Sequence, residues 1–181
     1  MKKLFTLGLC GMFLLTGANL VAQVKDKKET RKEIREERRK EEQIKIAQQN
    51  TASIESLNFT FYPNTIEPEF GVTNDLNGIN NFYFTVDKTA LYLSLPYVGN
   101  FYANPVTPGG APINITSNKF TYTVQSVDNV NMKVTIIPTD LVSIMNEGIQ
   151  FVLYMNKKSG YARLVMSADN RQEITYTGTF S

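Results

Sequence analysis

The 181-residue chain has no histidine, no tryptophan and one cysteine, Cys10. Without imidazole there is no histidine general base and no Ser-His-Asp triad. One thiol closes no internal disulfide, and the usual zinc sites, built from Cys and His, lack their ligands. Most of the common hydrolase mechanisms are thereby excluded, whereas a glycosidase-type pair of acids or an oxygen-ligated calcium site survives, since both need only Asp and Glu. Charge of one sign is also missing: 19 Lys and Arg stand against 17 Asp and Glu. The formal +2 equals the contribution of Lys2 and Lys3, which leaves the rest neutral and argues against a nucleic-acid partner.

Long apolar runs are scarce as well. The longest, from Leu4 to Leu15, follows Lys2 and Lys3 and leads to the small residues Gly17 and Ala18. This is the layout of a secretory signal peptide, and it is shorter than the roughly 20 residues of a spanning helix. Cleavage is expected after Ala22, in Leu20-Val21-Ala22, with Ala18 as the alternative. Cys10 as a lipidated first residue fits poorly, because Leu9 is bulky and the apolar run continues through Met12, Phe13 and Leu14. The mature chain from Gln23, about 160 residues, is then free of cysteine and large enough for one domain with a real core.

Between Lys25 and Lys45 ten Lys or Arg alternate with seven Asp or Glu, several at the spacing of one helical turn with the acid first. A solvated helix is expected there. Further on, Ile44, Ala47, Thr51 and Ile54 recur at spacings of three and four, so the part from Gln43 to Ser56 is expected to dock one face on the body. No heptad seam is long enough for a coiled coil.

From Leu57 the period changes to two, with turn residues at strand intervals. A two-residue Asp87-Lys88 loop pairs Phe84 with Leu91 and Phe82 with Leu93, and sets Tyr83 against Tyr92 on the other face. A short Val127-Asp128-Asn129 loop sets Phe120, Tyr122 and Val124 opposite Ile136, Val134 and Met132. Ile149, Phe151, Leu153 and Met155 fall opposite Ala168, Met166, Leu164 and Ala162, and then Met166 faces Ile174 and Leu164 faces Tyr176. With Leu57 to Tyr62, and Glu69 to Thr73 as a further candidate, this gives about eight antiparallel strands with one apolar face each. Such a meander must curl into a small barrel or a barrel-like sandwich, an all-β fold preceded by the charged helix.

The stretch from Leu95 to Ile115 breaks the pattern, with Pro96, Gly99, Pro105, Pro108, Gly109, Gly110 and Pro112 among about twenty residues. Its large groups, Tyr97, Phe101 and Tyr102, suit a sugar, peptide or lipid if they face outward, or a plug closing the fold if they tuck in. Tyr154 and Arg163 come out opposite each other on the outer face, where the guanidinium can lie over the ring. Carboxylates offer little: Glu67 and Glu69 flank Pro68, and Thr73-Asn74-Asp75-Leu76-Asn77-Gly78 reads as a capped turn rather than a calcium loop.

The segments Leu95-Pro96-Tyr97-Val98-Gly99, Phe101-Tyr102, Gly109-Gly110, Phe120-Thr121-Tyr122, Gly160-Tyr161-Ala162, Asn170-Arg171-Gln172 and Thr177-Gly178 together resemble the bacterial family called domain of unknown function 4251. The resemblance runs from about Ile44 to Phe180 and extends to the layout of signal, charged helix and β domain. It implies an exported domain of Gram-negative bacteria with a lipocalin-like β-barrel and no assigned activity. Family members often carry Arg where Asn100 stands, and no catalytic residue carries over.

The expectation is therefore a signal peptide over 1–22, a charged helical stalk over 23–42 and a barrel-like domain with its helix over 43–181. Its expected role is non-enzymatic binding of a small ligand or protein in the periplasm or cell envelope. Tyr97, Phe101 and Tyr102 are the first candidate contacts, Tyr154 and Arg163 the second. The alternatives are an interaction protein whose charged helix docks a partner and a carboxylate-only hydrolase. No catalytic residue, metal, cofactor, nucleic acid or transmembrane span is implied.

Overall fold

In a computed structural model of the chain, residues 15–79, 81–101, 107–108, 112–141 and 148–181 are described, with side chains from residue 31 onward except at 101, 107 and 108. Two compact units divide the chain, Met1–Gln43 and Ile44–Ser181. One helix, α1 (Leu15–Glu55), supplies the described part of the first unit and opens the second. No helix among the described residues is long and apolar enough to cross a membrane.

In the first unit residues 31–43 are all exposed, as their dense charge dictates, and Ile34 is the one large apolar residue among them. In the second, α1 turns Ala47, Asn50, Thr51 and Ile54 inward, and Ile54 is fully buried. Ile44, expected on that face, is 56% exposed instead. What fixes the helix lies in its last turns: the Asn50 amide donates to the Lys157 carbonyl at 2.7 Å and the Tyr122 hydroxyl to the Ile54 carbonyl at 2.8 Å. The helix then ends in a Schellman motif, in which Asn58 N–H donates to Ser53 O and Leu57 N–H to Ile54 O. Leu57 takes the left-handed φ of +52° that this motif requires and that glycine usually supplies.

Twelve strands follow among the described residues: β1 (Phe59–Pro68), β2 (Asn74–Asp75), β3 (Tyr83–Val86), β4 (Leu91–Leu95), β5 (Asn100–Phe101), β6 (Thr107–Pro108), β7 (Ile113–Ser117), β8 (Phe120–Ser126), β9 (Asn131–Pro138), β10 (Ile149–Asn156), β11 (Tyr161–Ala168) and β12 (Arg171–Phe180). The main sheet runs β7-β4-β3-β1-β12-β11-β10-β9-β8, and every neighbouring pair is antiparallel. An even number of antiparallel steps separates the two edge strands, so β7 and β8 run in the same direction. Only Asn118 and Lys119 lie between them. The two edges are halves of one bent strand, whose first half pairs with β4 and whose second half pairs with β9. The sheet nearly closes into a barrel through this covalent step. Asp140 fastens the bend by accepting from the buried Ser117 hydroxyl at 2.5 Å and from Asn118 N–H at 2.9 Å.

Alternating residues of these strands form a single core. The rings of Phe84 and Phe151 lie 5.0 Å apart, although their strands β3 and β10 stand four places apart around the sheet. Opposite walls therefore touch across the middle. The barrel is packed at this level, where a lipocalin-like cup would hold a ligand.

Pairings of β10 with β11 and of β11 with β12 follow the registers read from the sequence. Two others differ by two residues: Phe84 faces Leu93 rather than Leu91, and Tyr122 faces Ile136 rather than Val134. Tyr83 accordingly faces Ser94, and Thr85 takes the place opposite Tyr92. Both slips have one cause. The Asp87 carboxylate accepts from Thr89 N–H, the Thr89 hydroxyl and Ala90 N–H, and Asp128 accepts from Val130 N–H, Asn131 N–H and the Asn131 amide. Each capped aspartate lengthens its turn by two residues. A shift of two preserves the faces, so the expected core is kept.

Two further expectations are corrected. Glu69 to Thr73 is not a strand; β1 instead runs on to Pro68, past a bulge between Pro63 and Thr65. The stretch from Leu95 to Ile115 is not free of strands, since β5 pairs with β6 and β12, and β7 begins at Ile113.

Candidate functional site

Tyr97 is 1% exposed, so the one described side chain among the three large aromatics of the loop faces inward. Its hydroxyl has two acceptors in reach, the Asn100 carbonyl at 2.9 Å and the Gln172 carbonyl at 3.2 Å. Gln172, also buried, accepts from Asn100 N–H at 3.0 Å and donates to the Phe70 carbonyl at 3.2 Å. The Tyr176 hydroxyl donates to the Pro96 carbonyl at 2.7 Å. Burial raises the Tyr176 hydroxyl well above the usual phenol range, with Tyr97 beside it adding to the effect, so it stays a neutral donor. Gly99 permits the close fit, because a Cβ there would lie 2.8 Å from the Tyr97 oxygen. Residues 96–100 are thus fastened at three points on the inner face of β12. The Arg171 guanidinium, 5.7 Å from the Tyr97 ring centre, lies over the plug.

Of the other expected contacts in this loop, Phe101 is described by its backbone, which pairs with Arg171 and Thr107. Tyr102 lies outside the described residues. The plug's partners had a signal in the sequence that went unread: Gln172 sits two residues before Ile174 and four before Tyr176, so the strand period already placed a polar group on the core face.

On the outer face the expected pair is present. Tyr154 faces both Arg163 and Lys133, with the guanidinium 4.7 Å and the ammonium 6.0 Å from its ring centre. Tyr154 is 36% exposed and Tyr161, two residues before Arg163 on the same strand face, is 52% exposed. Two tyrosines and two cations thus share one patch of the β9–β11 surface, with no acid at the paired positions.

The carboxylates have structural work. Hydrogen bonds from capped turn groups hold Asp87 and Asp128 below the usual carboxylate range, and the Ser117 hydroxyl does the same for Asp140. Asp75 caps its turn by accepting Asn77 N–H at 2.8 Å, with Gly78 at φ +84° completing it. Among the described residues no group of three or more potential metal ligands converges.

A nearly closed antiparallel sheet preceded by an N-terminal helix defines the class, a barrel-like all-β domain. The sequence profile of the family described as Domain of unknown function (DUF4251) matches residues 38–180. The chain belongs to that family. A similar fold is found in the crystal structure of a DUF4251 family protein from Bacteroides eggerthii DSM 20697, with 14% identity, a TM-score of 0.51, and coverage of 74% of this chain and 85% of that one. No protein of curated function matches the chain.

Proposed function

We propose that this chain is an exported, non-enzymatic binding domain of the bacterial cell envelope, and that it binds a protein partner through its outer surface. Export rests on the signal-like segment before Gln23. The observation that carries the outer-surface reading is the contact of Phe84 with Phe151, which joins opposite walls across the barrel's middle, together with Tyr97 buried as a plug. The loop of Tyr97 then acts as a lid of the core, and the contact surface shifts to Lys133, Tyr154, Tyr161 and Arg163. Exposed tyrosines beside cations suit an acidic protein surface, because the rings supply contact area and the cations supply charge complementarity.

A photo-reactive amino acid placed at Tyr161 in the native host tests this directly. The expected result is a discrete cross-linked partner that is lost in Tyr154→Ala and in Arg163→Ala. Cross-linking that is absent, or indifferent to both substitutions, overturns the reading. The wholly exposed residues 31–43 of α1 support a second reading, docking of a partner by the charged helix. Deletion of residues 25–40 separates the two, because it removes a helix-borne partner and leaves one bound at Tyr154.

A further inference from the structure

We infer that the free edge of β8 is a pairing surface for a second copy of this chain. The step goes beyond the binding role proposed above and rests on the ladder itself. Two backbone bonds bracket β8: Thr139 N–H donates to Lys119 O at 2.8 Å, and Val127 N–H donates to Asn131 O at 3.0 Å. In an antiparallel pair the bonded residues alternate, so 119, 121, 123, 125 and 127 exchange hydrogen bonds with β9. Phe120, Tyr122, Val124 and Ser126 therefore aim their N–H and C=O groups away from the sheet. Among the described residues nothing bonds to them there. The bond from Tyr122 to Ile54 is made by its phenol on the inner face and leaves the backbone groups open.

Exposure confirms an opening at this edge. Met132, Val134 and Ile136 on β9 are buried, whereas Phe120, Tyr122 and Val124, one strand further out on the same face, are only half-buried. Natural edge strands are usually blunted by charge, proline, a bulge or very short length. β8 has seven residues, Phe-Thr-Tyr-Thr-Val-Gln-Ser, with no charge, proline or glycine, and its pairing with β9 is regular throughout.

The sequence of β8 suits its own copy. An antiparallel pairing with Thr123 on the two-fold axis sets Tyr122 against Val124 and Phe120 against Ser126, all with their backbone groups already pointing across the junction. Tyr122 and Val124 form an aromatic with β-branched pair, a favourable cross-strand combination, and both lose their remaining exposure. Thr121 meets Gln125 on the outer face without charge repulsion. The same surface is presented by both copies, as two-fold symmetry requires. An interface of two seven-residue strands is small, so the association is at the weak, concentration-dependent end.

Cysteine scanning in a Cys10→Ser chain tests this register. Thr123 meets its symmetry mate as a non-hydrogen-bonded pair with Cα atoms about 4.5 Å apart, within disulfide reach. Thr121 lies about 14 Å from its own mate, two strand residues to each side of the axis, and is out of reach. The expected result is that Thr123→Cys oxidises to a covalent species of twice the chain mass, and Thr121→Cys does not. Adding Val124→Pro abolishes the cross-link, because the proline removes an edge N–H without touching the bonds to β9. Circular dichroism verifies that this variant is folded, and Ser126→Pro serves in its place where it is not. Equal cross-linking at 121 and 123, or a cross-link that survives both prolines, overturns the inference. So does a chain that sediments as a monomer at about 1 mM, where even very weak pairing is populated.

Discussion

Replacing Tyr97 distinguishes a plug from a lip, because the two roles differ in stability by several kcal/mol. The side chain is 1% exposed, and its hydroxyl meets two backbone carbonyls. Removing a buried aromatic ring to alanine costs about 3–5 kcal/mol through lost transfer energy and the cavity left behind. Tyr97→Phe keeps the ring and removes only the hydroxyl, for a loss of about 0.5–1.5 kcal/mol. A domain of this size has about 5–15 kcal/mol in all, so the alanine variant forfeits a large share. At about 2–4 °C per kcal/mol its Tm falls by roughly 6–20 °C. Urea unfolding followed by circular dichroism gives the two free-energy losses and a thermal scan gives the Tm, and the absence of tryptophan makes circular dichroism the practical signal. Had Tyr97 been a binding lip, its removal would fall within about 0.5 kcal/mol, as at other surface sites. A loss below about 1 kcal/mol for Tyr97→Ala refutes the plug and frees the loop for ligand contact.

Other perturbations follow from the same geometry. Gly178→Ala places a Cβ 2.0 Å from the Tyr62 carbonyl oxygen at the bulge of β1, so this variant is expected to unfold or to fail to accumulate, as measured by soluble yield and Tm. The lowered carboxyls of Asp87, Asp128 and Asp140 stabilise the fold above their ordinary value of 3.8 and lose that contribution as pH falls through their folded values. Urea midpoints should therefore drop below about pH 4, and the drop should shrink in Asp128→Asn, whose cap no longer titrates. Tyr154→Ala removes a ring lying between two cations on an exposed face, with an expected stability change within about 1 kcal/mol and a selective loss of the cross-linked partner.

Faces were legible in the sequence where turns were not. The period of two placed Phe84, Leu93, Val134, Phe151, Leu164 and Tyr176 in the core, and all are buried. The same pattern missed two registers, because a carboxylate that caps its own turn changes loop length without changing hydrophobic spacing. β7 escaped notice because only Ile113 and Ile115 mark it as a strand after a run of prolines and glycines. Its same-direction continuation into β8 is a property of the closed sheet, which no local window contains. The outer pair of Tyr154 and Arg163 emerged directly from a register that the four-residue turn at 157–160 had already fixed. The inward direction of Tyr97 was undecided in the sequence, since an aromatic among prolines and glycines fits either side, and Gln172 and Tyr176 settle it from 75 and 79 residues away.

The packed middle of the barrel is tested most directly by titrating the native chain with small apolar fluorescent probes beside Phe151→Ala. Removing the ring that meets Phe84 across the barrel opens an apolar cavity of the kind that binds such molecules. The expected result is no saturable binding to the native chain and saturable 1:1 binding to the variant. Saturable binding of the same probes to the native chain, diminished rather than gained in Phe151→Ala, would contradict a filled interior and return the ligand to the barrel.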